Sequence, residues 1–202
     1  MSQTKTQLVA SPLNLNGADL TFPSSQGSAN QFLRNGSTAG TLEFSALAAS
    51  NLPTGSILQI VQASTSTQVS VSTTTFTDTG LSASITPSSS SNKILVIVDQ
   101  MFQTSRSSSG LGAGIKLLRD STAIHQPVED STGPFENYVG GITGFYGRMT
   151  ITKLDSPSST SSLTYKTQGR PYATSSTGKV HFNITSSVQN ATSYITLIEV
   201  AA

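Results

Sequence analysis

The feature that most constrains this chain is a pair of apolar segments, Ser56–Val61 and Lys93–Val98, separated by a long tract of Ser and Thr. Within the tract, apolar residues recur at every second position: Val69, Val71, then Leu81, Ala83 and Ile85. A period of two is typical of a β-strand, and the many Thr residues would give it an outer face of hydroxyl groups instead of charges. The tract is therefore predicted to be structured β-sheet, although such composition is more usual in flexible linkers.

Composition indicates a rigid, weakly charged β-structure. Ser and Thr account for 35 and 28 of the 202 residues, and only 10% are charged, against about 25% in an average protein. A chain so poor in charge is not a disordered polyelectrolyte. Its 35% hydrophobic content is low for a self-sufficient core, so part of the burial is expected to come from another subunit.

The same counts argue against several partners. The net charge is +1, without a cluster of Lys or Arg, so nucleic acid is not an expected partner. Cysteine is absent, which excludes disulfides and thiolate zinc sites. We expect neither a secretory leader nor membrane insertion, and we expect the protein to be made and folded in a cytoplasm.

Two regions of the chain differ in composition and in the pattern of their apolar residues. Residues 1–54 contain short β-like pieces broken by Gly and Pro and have too few apolar side chains for a core, so we interpret them as an arm or shaft that lies against something else. Asn35-Gly36 predicts a hairpin, with a longer turn if Ser37–Gly40 joins it. The best helical piece is Phe44–Leu52, which ends before Pro53.

Residues 55–202 are predicted to form an antiparallel β-sandwich, jelly-roll-like, because strand signals recur at intervals of roughly 10 to 15 residues. No helical periodicity is sustained, and Thr79-Gly80 is predicted as a turn. The predicted strands lie near 56–63, 67–77, 81–86, 93–104, 112–119, 122–126, 143–154, 161–169, 178–185 and 193–200.

Strand faces give the strongest inference. Val180, Phe182 and Ile184 alternate with Lys179, His181 and Asn183, as expected for a strand with one face in water, whereas Ile94–Val98 is apolar at every position. A strand that is apolar on both faces needs both faces covered. Contact with sister chains in a three-fold assembly is the first interpretation, and a loop folded over a central strand is the alternative. The expected interface residues are Ile57, Leu58, Ile94, Leu95, Val96, Ile97 and Val98.

Three segments resemble a C-terminal domain found in virion proteins of tailed bacteriophages, including phages of marine bacteria and cyanobacteria: GSILQIVQASTSTQ, FTDTGLSASITPSSSSNKILVIV and SYITLIEV. The preceding NGADLTFPSSQGSANQFLRNGSTAGTLEFSAL is similar to the shaft segments placed ahead of such domains. The resemblance spans Leu15 to Val200 and implies a homotrimeric β-sandwich on the virion, with no catalytic residues. This chain is short for a tail fibre.

Few residues point to chemistry. Two histidines, His125 and His181, cannot complete a metal site without carboxylates. The acidic cluster of Glu129, Asp130 and Glu136 is interpreted as a solvated loop, with calcium binding or glycan hydrolysis as alternatives. The segment Gly110–Gly114 precedes a strand instead of a helix, so it does not predict a phosphate loop. Neither a cofactor nor catalysis is expected.

Aromatic and Arg side chains gather in two loops, residues 131–146 and 169–176. Such side chains on a rigid scaffold suit recognition of a host glycan or protein, although Phe145 shares the parity of the apolar Met149 and Ile151 and could fill the core instead. The expected receptor-binding residues are Phe135, Tyr138, Tyr146, Arg170 and Tyr172.

Three functions compete at this point. The first is a short tail fibre whose residues 1–54 bind other virion proteins and whose trimeric knob binds the host. The second is a head decoration or cement protein, or a head fibre, that never touches the host. The third is a polysaccharide depolymerase, which would need opposed carboxylates across a cleft. Binding is favoured over catalysis.

Overall fold

The computed structural model describes residues 13–15, 18–48, 51–105, 111–126, 137–139, 144–171, 179–184 and 191–202. These residues form an all-β protein in which every strand pairing is antiparallel, with no α-helix in the described ranges. Contacts divide the chain into two compact units, Met1–Leu52 and Pro53–Ala202. The predicted all-β class is therefore confirmed.

The described residues of the first unit form two antiparallel strand pairs, β1 with β2 and β3 with β4. Gly36 N–H donates to the Thr41 carbonyl at 2.8 Å, so the hairpin takes the longer of the two predicted turns. The predicted helix is wrong where it begins, because Phe44 lies opposite Leu33 in the second hairpin. Strand pairing satisfies the backbone hydrogen bonds of this segment, whereas a short isolated helix would be only marginally stable. The strands are β1 (Leu13–Leu15), β2 (Ala18–Leu20), β3 (Gln31–Asn35) and β4 (Leu42–Ala46).

In the ranges that the structure describes, the second unit has eleven strands in two sheets. The larger sheet has the order β5-β15-β8-β14-β6, with β12 paired to the other edge of β8. It comprises β5 (Ile57–Thr65), β6 (Val69–Val71), β8 (Lys93–Ser105), β12 (Gly144–Asp155), β14 (Lys179–Phe182) and β15 (Ser193–Val200). The smaller sheet has the order β10-β9-β13-β7, with β11 paired to β9. It comprises β7 (Thr77–Ile85), β9 (Leu111–Arg119), β10 (Thr122–His125), β11 (Asn137–Val139) and β13 (Leu163–Pro171).

Alternating residues of both sheets meet in one hydrophobic core, which includes Leu81, Ile115 and Tyr165 of the smaller sheet. Ile94, Val96 and Val98 of β8 enter it from the larger sheet. Phe145 packs against the core with its ring 5.8 Å from that of Phe102, which confirms the core interpretation for this aromatic residue.

Two strand predictions need correction. The strand expected near 67–77 is only Val69–Val71, and the chain leaves the sheet before β7 begins at Thr77. Thr79-Gly80 is not a turn: both residues lie inside β7, where the pairing with β13 shifts register and Gly80 has φ +83°. A bulge uses the positive φ that glycine tolerates, and it directs Thr79 into the core.

A buried polar cluster ties the two sheets together around Gln100 of β8. The Gln100 side-chain oxygen accepts hydrogen bonds from the hydroxyls of Thr79 and Thr167 on the smaller sheet, at 3.1 and 2.8 Å. Its amide nitrogen donates to Asn183 Oδ1 at 2.7 Å and to Ser193 Oγ at 2.9 Å. Because every partner is buried, these hydrogen bonds fix the position of one sheet relative to the other.

Asn183 departs from the predicted alternation. It was expected on the wet face beside His181, yet it is fully buried and adopts φ 54° just after β14 ends. The left-handed conformation, which Asn tolerates better than most residues, turns its amide inward. There the amide nitrogen donates to the Thr79 carbonyl at 2.6 Å.

Candidate functional site

Strand directions define two ends of the larger sheet. We call the end where β5 begins the proximal end, because residues 53–56 enter there, and the end where β8 finishes and β12 begins the distal end. The face of this sheet that points away from the core is called the outer face. It carries two contrasting rows of side chains, one near each end.

The apolar row consists of Ile60, Ile198, Leu95 and Leu154, one residue from each of β5, β15, β8 and β12. Each residue lies directly opposite the next, so the row crosses the sheet near its proximal end. Ile60 and Leu154 lie on the two edge strands and are 60% and 50% exposed, while Ile198 and Leu95 on the strands between them are half-buried. Large aliphatic side chains are thus aligned on a face that the described part of the chain does not cover.

Neighbouring residues extend this surface. Ile57 lies opposite Val200 on the proximal side, and Ile97 lies between Thr196 and Thr152 on the distal side. The charges nearest the row on its distal side are Asp99 and Arg148, which pair with each other at 2.5 Å. Their hydrogen bond raises the pKa of the Arg148 guanidinium. On the proximal side, the exposed Lys93 lies opposite Val200. The row itself is therefore apolar, with one cation on its proximal side and a neutral ion pair on its distal side.

The interface prediction requires a correction at three positions. Ile94, Val96 and Val98 are 0% exposed within the single chain, so another subunit has no surface of theirs to cover. Both faces of the segment Ile94–Val98 are apolar for different reasons, since these three residues fill the core while Leu95 and Ile97 point outward. Of the seven expected residues, Ile57, Leu58, Leu95 and Ile97 retain surface that a partner could contact.

The polar row consists of Tyr146, Gln103, His181 and Ser70, one residue from each of β12, β8, β14 and β6. It crosses the same outer face toward the distal end. The Gln103 amide nitrogen donates to the Tyr146 hydroxyl at 2.9 Å, and the Tyr146 side chain is 49% exposed. Eight residues of β8 separate this row from the apolar row, which corresponds to about 26 Å along the strand.

His181 is held within this row by its Nδ1 atom. Ser70 Oγ lies 2.7 Å from Nδ1 and Gln68 Nε2 lies 3.3 Å from it. Partial burial and the neighbouring positive charge of Lys179 lower the pKa of His181 below its ordinary value, so the ring is neutral at pH 7. Although Ser and His are in contact, the hydrogen bonds described for His181 involve no carboxylate of the kind that orients a catalytic histidine.

The predicted receptor-binding residues do not converge in the described part of the chain. Tyr146 lies on the outer face of the larger sheet, whereas Arg170 lies on the outer face of the smaller sheet, on the opposite side of the core. Tyr138 belongs to β11, where its backbone lies opposite Gly112. Phe135 and Tyr172 lie outside the described residues.

Arg170 has a local role on the smaller sheet. Its guanidinium carbon lies 4.9 Å from the ring centroid of Phe76, and Lys116 Nζ lies 4.7 Å from the same centroid. Arg170 also donates to the Thr74 carbonyl at 3.1 Å. The two cations thus hold the segment before β7 against the sheet through their attraction to the aromatic ring.

Other candidates from the sequence give no assembled site. Glu129, Asp130 and Glu136 lie outside the described residues. Gly110 also lies outside them, but Leu111–Gly114 form the start of β9 and pair with two strands, as a phosphate-binding loop would not. Within the described ranges no group of three or more His, Cys, Asp or Glu residues could hold a metal ion. No helix there is long and apolar enough to cross a membrane.

The two carboxylates that are buried in the described ranges accept hydrogen bonds from within the chain. Asp155 of β12 accepts hydrogen bonds at 2.7 Å from Arg119 Nη1 and from the Tyr165 hydroxyl, both on the smaller sheet. Burial and the bond to Asp155 raise the pKa of Tyr165 far above its ordinary value. Glu199 is 0% exposed and accepts from Ser88, Asn92 and Gln59. Both carboxylates hold the fold together.

Sequence reasoning missed both rows as units. Each row draws residues from four strands, and only the register between strands reveals which residues are neighbours. Within β12, only the shared parity of Phe145, Met149 and Ile151 was recognised from the sequence, and the opposite face of the strand, which carries Tyr146, Arg148 and Leu154, was not considered.

Comparisons of the sequence with models of known protein families and with curated proteins each found no match.

Proposed function

We propose that this chain is a structural protein of a tailed-bacteriophage virion, acting as a short tail fibre. Residues 1–54 attach it to other virion proteins. Residues 55–202 form a homotrimeric, jelly-roll-like β-sandwich knob that recognises the host surface. The observation that carries the proposal is the apolar row, which leaves aliphatic side chains on the outer face of the larger sheet.

An exposed apolar face supports association because antiparallel sheets with one wet face normally carry polar residues there. Ile57, Ile60 and Leu154 are each at least half exposed in the single chain. The half-buried Ile198 and Leu95 lie between Ile60 and Leu154, so the row is a continuous patch of the kind that marks interaction sites.

The scarcity of charge around the apolar row supports a second copy of the chain as the partner. Contact between like surfaces brings the same charges together, and that contact is tolerated where charges are few or already paired. Asp99 and Arg148 are paired with each other, and Lys93 lies at the proximal margin of the row. The number three comes from the resemblance to phage virion domains.

The first unit supports an attachment role. Several of its large apolar residues are exposed: Phe22, Phe32, Leu33, Phe44 and Leu47. Phe22, Leu33 and Phe44 also line an open pocket together with residues 23–26. A unit this small, with exposed apolar side chains, gains stability when another protein covers them.

Recognition fits this arrangement better than catalysis. The buried carboxylates, Asp155 and Glu199, already accept hydrogen bonds from neighbouring strands and loops. By contrast, the polar row offers uncharged side chains at the distal end of the knob. Weak binding by each knob would become effective through the several copies carried by one particle.

Location on the particle tests the proposal. Antibody labelling of intact particles followed by electron microscopy should place the chain at the tail, in few copies. Uniform labelling of the shell would instead favour the head decoration or cement protein, and absence from particles would refute a virion role.

Deletion of residues 1–50 gives a second test. The truncated chain should remain a folded oligomer but fail to join particles, because the exposed apolar side chains of the first unit would be missing. Normal incorporation of the truncated chain would refute the attachment role.

A further inference from the structure

We infer that the polar row binds an uncharged, polyhydroxylated ligand of the saccharide class. This inference rests on the proposed function, because it names the chemistry of the host-surface ligand. It differs from the sequence-based expectation, which placed recognition in loops, because the row is built on four paired strands.

The row is preorganised by its own hydrogen bonds. Gln103 Nε2 donates to the Tyr146 hydroxyl at 2.9 Å. The amide nitrogen of Gln68 can only donate, so His181 Nδ1 is the acceptor of their 3.3 Å contact, and the proton of the neutral ring lies on Nε2. Side chains fixed in this way lose little entropy when a ligand arrives.

These bonds leave a defined set of groups for a ligand. Gln103 Oε1 can accept, while His181 Nε2–H and the Tyr146 O–H can donate, and no hydrogen bond described for the row uses these groups. The row extends over three strand spacings, about 14 Å. Alternating donors and acceptors across that distance match a chain of sugar hydroxyls better than an apolar partner.

Tyr146 adds an apolar contact. Its side chain is 49% exposed while its hydroxyl is tied to Gln103, so the position of the ring is restrained with surface available to a ligand. Aromatic rings provide a large contact area at low entropic cost, and a sugar ring presents C–H groups that can pack on such a surface.

Charge favours a neutral saccharide. No residue of the polar row is charged at pH 7, and Arg148, the nearest cation on β12, is already bound to Asp99 and to the Thr192 carbonyl. Lys179 follows the row on its distal side. Because Lys179 is a cation, a preference for acidic glycans is the alternative that the experiment must distinguish from binding of neutral saccharides.

The test is a glycan array probed with the full chain, carrying neutral hexose oligosaccharides beside sialylated and sulfated ones, followed by calorimetry on the best binder. We expect retention of at least one neutral oligosaccharide. Tyr146→Ala and Gln103→Ala should each weaken its affinity at least about tenfold. Ser82→Ala, an exposed change on the outer face of the smaller sheet, is the matched control and should leave affinity unchanged.

Tyr146→Phe guards against a folding defect, because it keeps the ring and removes only the hydroxyl that Gln103 contacts; its loss should be smaller than that of Tyr146→Ala. Binding confined to acidic glycans, no glycan binding, or full binding by both alanine variants would overturn the inference. If the chain in that case still trimerises and is found on particles, only the saccharide site is refuted and the proposed function stands. A chain absent from particles refutes the proposed function instead.

Discussion

The inner and outer faces of the larger sheet are built from the same strands but differ in burial and in how their polar groups are bonded. On β8, Ile94 points inward and is 0% exposed, whereas Ile97 points outward and is 39% exposed. The inner face combines apolar packing with the fully bonded polar cluster around Gln100. The outer face combines an open apolar row with an exposed polar row. The comparison teaches that the inner face specifies the fold of one chain, while the outer face offers surface for partners.

The largest expected effect separates the two faces of β8 directly. Ile94→Asp should prevent folding, with a loss of about 4 kcal/mol or more, because it buries an unpaired carboxylate in the core. Its matched control, Leu95→Asp, should give a folded chain that no longer associates. Circular dichroism and light scattering distinguish these results. A folded Ile94→Asp chain would contradict the core role of the inner face, and a Leu95→Asp chain that still associates would contradict the interface role of the outer face.

A second effect concerns the polar cluster in the core. Gln100→Ala should lower the free energy of unfolding by about 2–4 kcal/mol, since it leaves buried partners on both sheets without their hydrogen bonds. Denaturant unfolding measures this loss. Gln103→Ala, on the outer face of the same strand, should cost less than about 0.5 kcal/mol. Equal losses for the two variants would show that the inner cluster adds no special stability.

Glu199 gives a third effect that depends on pH. Burial acts to raise its pKa, but hydrogen bonds from Gln59, Asn92 and Ser88 hold the pKa below its ordinary value. A carboxyl group with a lowered pKa in the folded state stabilises the protein above its unfolded pKa of about 4.3. This stability is lost as the pH falls through the lower folded value.

Glu199→Gln should therefore cost about 1–3 kcal/mol at pH 7, because its amide hydrogens would face donors. The difference from the natural chain should shrink as the pH falls below 4, as followed by denaturant unfolding at a series of pH values. Glu43→Gln, in the first unit, is the control and should leave the unfolding of the second unit unchanged. A difference that does not vary with pH would refute the assigned role of the carboxylate.

The smallest effect on stability lies at the margin of the apolar row. Leu154→Ser should change the free energy of unfolding of the single chain by less than about 1 kcal/mol, since the side chain is 50% exposed. It should nevertheless weaken association by removing part of the apolar contact. Sedimentation over a range of concentrations measures that shift. Unaltered association would remove Leu154 from the interface.

Several features of this fold could be predicted because they are local. Alternation placed most strands of the second unit correctly, and the continuous apolar run Ile94–Val98 signalled that both faces of β8 are apolar over this segment. The bulge at Gly80 could not be distinguished from a turn, since glycine serves both. The inward turn of Asn183 was also hidden, because its partners at Gln100 and Thr79 are remote in sequence.

The candidate site was less predictable for the same physical reason. Tyr146 was identified from its residue type, but its neighbours Gln103 and His181 depend on the register of three strands. The apolar row likewise requires the pairing of Ile198 with both Ile60 and Leu95. Such long-range pairing leaves no local signal in a sequence.

Sedimentation equilibrium of the full chain at micromolar concentration tests the central claim most directly. If sister chains cover the apolar row, the mass should be about three times the 21.0 kDa of one chain and should fall toward 21.0 kDa for Leu95→Asp. A stable species of 21.0 kDa for the natural chain would contradict the account.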